Sequence, residues 1–341
     1  MTPATTHHAR MALRRAASRA HLAPSIHNSQ PWRMRMAGDA LEFELDPDRL
    51  VPAIDPAGRQ SWISCGCALF NARASLAGED LGYRILRFPH GEESLVFARV
   101  ELTGGLDVDE PEHAARETLR ELDAAILLRR TNRTRFTDDE VGPGFLARLA
   151  AAALVEGGIL TAVRREEHRD AVARLTRRAD GKQFADPRFR AELRDWSTDD
   201  PYRRDGVQNT AVPHVDGSSE DEIPLRDFDS HGHGRLPADT GSNRRQTMMI
   251  LGTEGDSRSD WLRAGEALEH VFLEIARFGY ATSPVMQALE LPETRSEFRR
   301  ELGLTYYPQF LFRLGKAMSG TAPTRRRFLE DLLTEDTVTS S

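Results

Sequence analysis

The polar and apolar positions of this chain change period several times, and each change marks an element. Over 9–22, Ala, Leu and Met recur at helical spacing until Pro24, which removes a backbone donor and pushes its predecessor out of the helical region. A polar elbow follows, Ser25-Ile26-His27-Asn28-Ser29-Gln30, and Pro31 then opens an alternating stretch, Trp32-Arg33-Met34-Arg35-Met36. Alternation predicts a half-buried strand, and Ala37-Gly38-Asp39 turns it back into a second strand over 41–45. Helix, elbow and hairpin form one unit. The spacing further predicts a helix over 61–77, with Trp62, Ile63, Leu69 and Leu76 near one stripe. Strands follow over 84–88 and 96–102, then a helix over 144–155 and, near the end, a buried strand over 310–315. Before that last strand, Ser259 reads as an N-cap and Asp260 suits the positive start of a helix. Its apolar face is Trp261, Leu268, Val271, Phe272, Ile275 and Phe278, and Gly279-Tyr280 ends it.

Two of these helices resemble each other. Trp62, Gly66, Leu69 and Leu76 match Trp261, Gly265, Leu268 and Ile275 at a constant offset, and Gly82-Tyr83 match Gly279-Tyr280 after a short slip. Either the chain carries two related halves, or two long apolar helices that each contain a glycine agree by chance. A length of 341 residues suits two domains or one large one. Between 196 and 244 the composition shifts, with carboxylates from Asp199 to Asp239 crowded among Gly, Pro and Ser. Little of that stretch can form a core, so it reads as a lid over a site or as disorder.

The net charge of −7 and pI of 5.9 exclude a general nucleic-acid binder, which needs a dense positive face. Lys182 and Lys316 are the only lysines, so nearly all positive charge is arginine, the side chain that grips planar anions with paired donors. GC-rich codon usage produces the same bias. There is no run of about eighteen apolar residues and no apolar signal core near the start, which leads us to expect a soluble, cytoplasmic protein with no membrane partner. Cys65 and Cys67 are too few for a zinc site and too close for a useful disulfide, and read as small buried residues of a helix.

Three strings carry candidate chemistry. In 23–32, short polar side chains and free backbone groups gather at one turn, able to read the alternating donors and acceptors of a flat heterocycle or to make an ordinary polar loop. In 126–136, Arg129, Arg130, Arg133 and Arg135 interleave with Thr131, Asn132 and Thr134, giving a phosphate clamp or a solvated basic turn. In 322–328, Arg325, Arg326 and Arg327 either close the other side of a phosphate or form a surface basic run. GxGxxG after a strand, a Walker A lysine, HExxH and GxSxG are all missing. His231-Gly232-His233, near Asp227 and Asp229, has spacing for a divalent metal but also that of a solvated loop. His27 is a proton donor or a structural hydrogen-bond partner.

Together APSIHNSQPW, ILLRRTNRTRF and PTRRRF, with SWISCGCALFNARASLAG and RAGEALEHVFLEIARFGYATSPV between them, resemble the Acg family of nitroreductase-like flavoproteins. The resemblance spans nearly the whole chain outside the acidic loop and the termini. It implies an α+β nitroreductase fold, ordinarily a homodimer with two FMN sites at its interface. There the arginine string of one subunit holds the phosphate and the elbow of the other lines the flavin ring. In this chain the two strings lie in different halves, the helix over 144–155 runs into Glu156-Gly157-Gly158 without an elbow, and Arg14, Arg15 and Arg19 fall inside the helix before the elbow.

What the resemblance implies is a fused pseudo-dimer, monomeric, with halves at 1–122 and 123–341, a lid-like loop at 196–244, and one FMN site kept where the other is lost. The implied site combines Ser25, Asn28, Gln30 and Pro31 with Arg129, Arg130, Thr131 and Arg133, and Arg325 and Arg326 close the phosphate end. A one-residue shift of register puts Asn132 in place of Thr131. The implied activity is reduction through bound FMN, with NADPH or NADH as donor and a nitro compound or quinone as acceptor. An arginine of 133–135 would offset charge on the reduced ring, and no side-chain acid or nucleophile is needed. A carboxylate-rich loop over the entrance would repel the phosphates of NADPH, so flavin storage without turnover stands as the alternative.

Overall fold

The computed structural model describes residues 3–79, 81–104, 110–133, 136–212, Ile223, Arg226, Phe228, 246–318, Gly320 and 322–336. In chain order the elements of the first part are α1 (Pro3–Ala20), β1 (Trp32–Ala37), β2 (Ala40–Leu45), α2 (Arg59–Ala77), β3 (Gly82–Arg87), β4 (Val96–Gly104) and α3 (Glu110–Ile126). There follow α4 (Pro143–Val155), β5 (Ile159–Ala162), α5 (Glu166–Ala185), α6 (Pro187–Asp195), β6 (Ser197–Thr198) and β7 (Val207–Gln208). The last part holds β8 (Thr247–Thr253), α7 (Arg258–Arg277), β9 (Ala281–Pro284), α8 (Gln287–Glu290), α9 (Pro292–Glu301), β10 (Tyr307–Gly315) and β11 (Leu333–Glu335).

The alternation after Pro31 becomes the β1–β2 hairpin, with Trp32 opposite Leu45 and Met34 opposite Phe43. Trp32, Met34 and Met36 enter the core while Arg33 and Arg35 face outward, as period-two burial requires. The first sheet runs β11-β1-β2-β4-β3, the second β5-β8-β10-β9, and β6 pairs with β7. β11 lies parallel to β1, Met34 opposite Leu333, so the end of the chain adds a strand to the sheet of the first half. Helix α3 crosses the expected division between 122 and 123.

The two halves meet at α2 and α7, and the glycines of the repeat are where they touch. A Cβ on Gly66 would stand 2.0 Å from the carbonyl oxygen of Leu262 and 2.8 Å from the Cα of Gly265. A Cβ on Gly265 would stand 2.0 Å from the carbonyl oxygen of Ile63 and 2.8 Å from the Cα of Gly66. The same contact made from both sides is the signature of two elements related by a two-fold axis. The fold is therefore an α+β arrangement of two similar halves, and one core joins them: Leu69, Ala72 and Phe97 belong to the same buried cluster as Leu268, Phe272 and Phe312. Helix α2, enclosed by α1, α3 and α7, is buried almost end to end, which is why its sequence shows so weak a polar face. Cys65 and Cys67 are buried free thiols within it.

One helix start differs from the sequence expectation. Ser257, not Ser259, caps α7: its hydroxyl accepts from the backbone N–H of Asp260, whose carboxylate accepts from the N–H of Ser257 at 2.9 Å. The reciprocal pair needs a three-residue separation, which Ser259 lacks. Among the described residues no helix is long and apolar enough to cross a membrane, and no cluster of three or more metal-ligating side chains occurs. His231 and His233 lie outside the described residues.

Candidate functional site

The elbow is a single 3-10 turn, Ile26–Asn28, in which His27 (φ 47°), Asn28 (φ 56°) and, just beyond, Gln30 (φ 51°) all occupy the left-handed region. Such backbone costs on the order of 1 kcal/mol per residue and persists only where its surroundings hold it. Here they do. The Ser25 hydroxyl accepts from the Gln30 N–H at 2.9 Å, and the Ser64 hydroxyl on α2 accepts from the Ile26 N–H at 3.1 Å. The Gln30 amide donates to the carbonyls of Asn28 (3.1 Å) and Arg204 (2.9 Å) and accepts from the Arg327 N–H at 2.8 Å. Gln30, expected to face the ligand, is thus fully buried behind the elbow as a clamp among three segments. Pro31 also stands behind it, its carbonyl accepting from the Asp46 N–H and the Cys65 thiol.

In front of the elbow lie two adjoining hollows that share Pro24, Ser25, Thr131, Arg133 and Val207 and so form one cleft. The 126–136 string reaches it by docking on the second sheet: Thr131 pairs with Thr282, and the Asn132 N–H donates to the Thr282 carbonyl at 2.8 Å. That register leaves Thr131 lining both cavities and buries Asn132. Asn28, Arg129, Arg130 and Arg326 surround one end, together with Leu22 and Thr324. Around the other end stand His27, Gln60, Cys67, Leu268, Phe272, Ser283, Gln287 and Phe228. Both halves of the chain contribute to each end.

The first end is a concentration of guanidinium groups. Arg326 donates to the carbonyls of Ala23 (3.2 Å), Leu22 (3.3 Å) and Thr324 (3.1 Å), and among the described residues no carboxylate bonds it. Enclosure, then the charges of Arg129 and Arg130, lower its pKa to about 9. Arg130 donates to the Arg129 carbonyl at 2.7 Å, and its pKa is also lowered by burial and by Arg129. Arg129 donates to the Leu22 carbonyl, and its Nε lies 3.3 Å from the carboxylate of Glu269 on α7. Burial lifts Glu269 to about 7 against the pull of Arg129. Arg325 turns away, exposed, with its guanidinium 5.8 Å from the Tyr202 ring, so only Arg326 of the expected closing pair reaches the cleft. Three cations facing one acid make a site for an anion.

The second end is flatter and more apolar, with donors turned inward. Arg133 lies 5.5 Å over the Phe228 ring, and burial together with Arg226 lowers its pKa to about 10. His27 is held well below its ordinary pKa by burial, then by Arg226 and Arg133, so at neutral pH its imidazole is uncharged. Arg226 pairs with Glu290 and donates to Gln183 at 3.2 Å. Three buried polar atoms around the cleft, Gln60 Nε2, His27 Nδ1 and Asn28 Oδ1, have no hydrogen-bond partner among the described residues. A flat ligand with ring donors and acceptors would satisfy them. Arg135 lies outside the described residues.

The start of the acidic stretch packs against the elbow and the C-terminal segment. Asn28 donates to the Gly206 carbonyl at 3.3 Å and to that of Arg325 at 3.0 Å, Asp205 pairs with Arg49, and Arg204 lies 3.6 Å over the Phe328 ring. Val207, Gln208 and Ala211 form part of the cleft wall. Most of 213–245 lies outside the described residues. Sequence reasoning missed Gln60, Glu269, Arg226 and Phe228 as site residues. A signal existed only for Glu269, a carboxylate on an apolar helix face whose repeat counterpart is Phe70.

No family model matches the chain. It is 34% identical over 320 residues to a Mycobacterium tuberculosis protein provisionally named NAD(P)H nitroreductase Rv3131, a match that spans 91% of this chain and 88% of the relative. A second protein of that organism, provisionally named NAD(P)H nitroreductase acg, is 27% identical over 317 residues, covering 91% of each. Among solved structures, a Desulfitobacterium hafniense nitroreductase with bound FMN covers 63% of this chain and 97% of its own, at 14% identity and TM-score 0.37. The Mycobacterium smegmatis FMN-dependent nitroreductase NfnB, in complex with NADPH, covers 62% and 96% at 16% identity and TM-score 0.37. With a third of its aligned positions shared over nine-tenths of its length, the chain belongs to the nitroreductase-like family that includes these two mycobacterial relatives.

Proposed function

We propose that the chain is an FMN-dependent oxidoreductase of the NAD(P)H nitroreductase type, with one FMN held across its two halves. The observation that carries this reading is the cluster of Arg129, Arg130 and Arg326, three adjacent cations bonded to backbone carbonyls and facing one carboxylate. A phosphate monoester supplies the missing negative charge. The unsatisfied Gln60 Nε2, His27 Nδ1 and Asn28 Oδ1 lie along the same cleft and fit a ring with both donors and acceptors. Bound FMN would supply hydride acceptance from a nicotinamide and two-electron delivery to an acceptor such as a nitro compound or a quinone.

The chain's own part is to bind, orient and shield. Arg129, Arg130 and Arg326 hold the phosphate, while Ser25 and Thr131 line the passage between the two ends. Arg133 places a positive charge beside the ring end, where it favours whatever negative charge develops there. His27, kept neutral, is a hydrogen-bonding group and not a cation. Phe228, Phe272, Leu268 and Phe310 exclude water from the ring faces.

Flavin storage with little turnover is a second reading, favoured by the bonds that fasten 204–206 over the elbow and Arg226 to Glu290. Purified protein mixed anaerobically with NADPH separates the two. Rapid loss of absorbance near about 450 nm, the oxidised-flavin band, supports the oxidoreductase. A yellow protein that resists NADPH and yields to dithionite supports storage. Arg130→Ala is expected to lower FMN occupancy and Asn28→Ala to alter the flavin spectrum; full occupancy at unchanged affinity in both would refute the site.

A further inference from the structure

Glu269 does nothing for a ligand that carries phosphate, since its charge repels one. Yet it sits at the arginine end, fully buried on α7, where the repeat places Phe70 on α2. Among the described residues neither carboxylate oxygen has a well-aligned hydrogen bond: Arg129 Nε, at 3.3 Å, is poorly directed, and the Asn71 amide also faces the group. Ion pairing without hydrogen bonds is poor compensation for a buried carboxylate. What Glu269 supplies is a negative charge among three guanidiniums that would otherwise stand alone.

We propose that Glu269 is an exchangeable counter-ion for the phosphate site, neutralising Arg129 in the empty protein and taking up one proton when a phosphate monoester engages the same arginines. The inference rests on the FMN reading given above. The proton comes from solvent and adds to a carboxylate oxygen; no other bond forms or breaks. A phosphate dianion beside an ionised Glu269 sets like charges against each other in one buried pocket, where the carboxylate and the phosphate compete for Arg129. Protonation removes that conflict, and burial has already brought Glu269 to about 7 before any ligand adds its charge.

The groups facing Glu269 leave it the one that responds near neutrality. Cys67 on α2 is pushed well above its usual range by burial and by Glu269 itself, so it stays a thiol. Asn71 on α2 does not titrate. Arg129, after α3, and Arg326, from the C-terminal segment, supply the positive charge, with Arg130 beside Arg326. His21, which faces Arg326, is lowered below its ordinary value by burial and is neutral at pH 8.

The test is calorimetric titration of FMN into flavin-free protein at pH 8 in two buffers of different ionisation enthalpy, which yields the protons exchanged. At that pH the phosphate of FMN is already dianionic, its second pKa being about 6, and contributes none. Expected is uptake of about 0.9 proton per FMN, and affinity that falls up to about tenfold per pH unit between pH 7 and 9. Glu269→Gln should bind FMN with little proton uptake at pH 8 and a flat profile from pH 7 to 8, Arg326, with its pKa of about 9, entering only above that. FMN bound by the wild-type protein without proton uptake overturns the inference alone, as does equal uptake in Glu269→Gln. A protein that takes no FMN overturns the FMN reading and this inference with it. The wild-type measurement stands whether or not the variant folds.

Discussion

Replacing Gly66 by Ala tests the junction on which the whole cleft depends. The added Cβ would land 2.0 Å from the Leu262 carbonyl oxygen, so α2 and α7 must part by roughly 1 Å to restore an ordinary contact of about 3.3 Å. Across that seam the Cys67 thiol donates to the Gly265 carbonyl at 3.3 Å, and Ile63 and Leu69 share one buried cluster with Leu262, Leu268 and Phe272. A gap of about 1 Å forfeits up to half of each atom pair's attraction of about 0.1–0.2 kcal/mol, and some 40 such pairs make the loss about 3 kcal/mol. The better helix propensity of alanine returns about 1 kcal/mol. A net loss of about 2 kcal/mol is expected, seen as a lower urea midpoint by far-ultraviolet circular dichroism and a drop of roughly 3 °C in Tm. Gly265→Ala should cost about the same. The double variant should cost less than the sum, because both methyl groups open one seam and the second finds it already open. A Gly66→Ala protein at least as stable as wild type would show that the helices do not meet there. Strict additivity would refute a shared contact.

Other outcomes follow from named groups. Gln30→Ala should destabilise by about 2–4 kcal/mol in urea unfolding, because the Arg204 and Asn28 carbonyls and the Arg327 N–H lose their partner, and FMN affinity should suffer only through the loosened elbow. Glu266→Ala strips Arg73 of one carboxylate and Arg87 of the one it grips with two donors; about 3–5 kcal/mol is expected, and a loss under about 1 kcal/mol would mean the network is not coupled. The raised pKa of Glu269 sets a sign for flavin-free protein. Its folded value of about 7 lies above the ordinary 4.5, so its cost is absent below pH 4.5, grows as pH rises to 7 and is constant beyond, reaching about 3 kcal/mol. Thermal unfolding of wild type and Glu269→Gln at pH 5 and pH 8 should therefore show the variant gaining on wild type at the higher pH; a gap independent of pH would contradict the shift.

The elements readable in the sequence were those set by local rules. Pro24 ended a helix, the alternation of 32–36 made a strand, and the matched glycines marked a repeat whose two copies the structure brings into contact. The site strings were found for the same reason, being contiguous and chemically unusual. What was not legible depended on direction. Gln30 sits within the most informative string, yet a left-handed backbone at that position sends its amide behind the elbow; side-chain type carries no such information. Arg325 and Arg326 are neighbours of identical chemistry, and only the turn of the C-terminal segment decides that one enters the cleft and the other lies over Tyr202. Gln60 and Phe228 reach the site through tertiary packing, and nothing local distinguishes them.

The distribution of carboxylates, more than that of arginines, separates the two sides of the helix crossing. At the repeat positions matching Cys67 and Phe272, which line the cleft, the other side carries Glu266 and Arg73. There the described arginines are matched: Arg73 contacts Glu156 at a bonding distance of 2.5 Å and Glu266 at 2.8 Å, and Arg87 grips Glu266. Charges so paired offer nothing to an incoming anion. Single guanidiniums bonded to backbone carbonyls occur elsewhere too, as Arg59 does with Gln309 and Leu289. What the cleft alone combines, among these places, is three such groups side by side, with Arg129 lowering the pKa of Arg130 and Arg326, next to a carboxylate whose pKa burial raises. Mutual repulsion among fixed cations is relieved by one negative ligand bound to all of them, so the arrangement that costs the empty protein stability is also the one that makes phosphate binding strong.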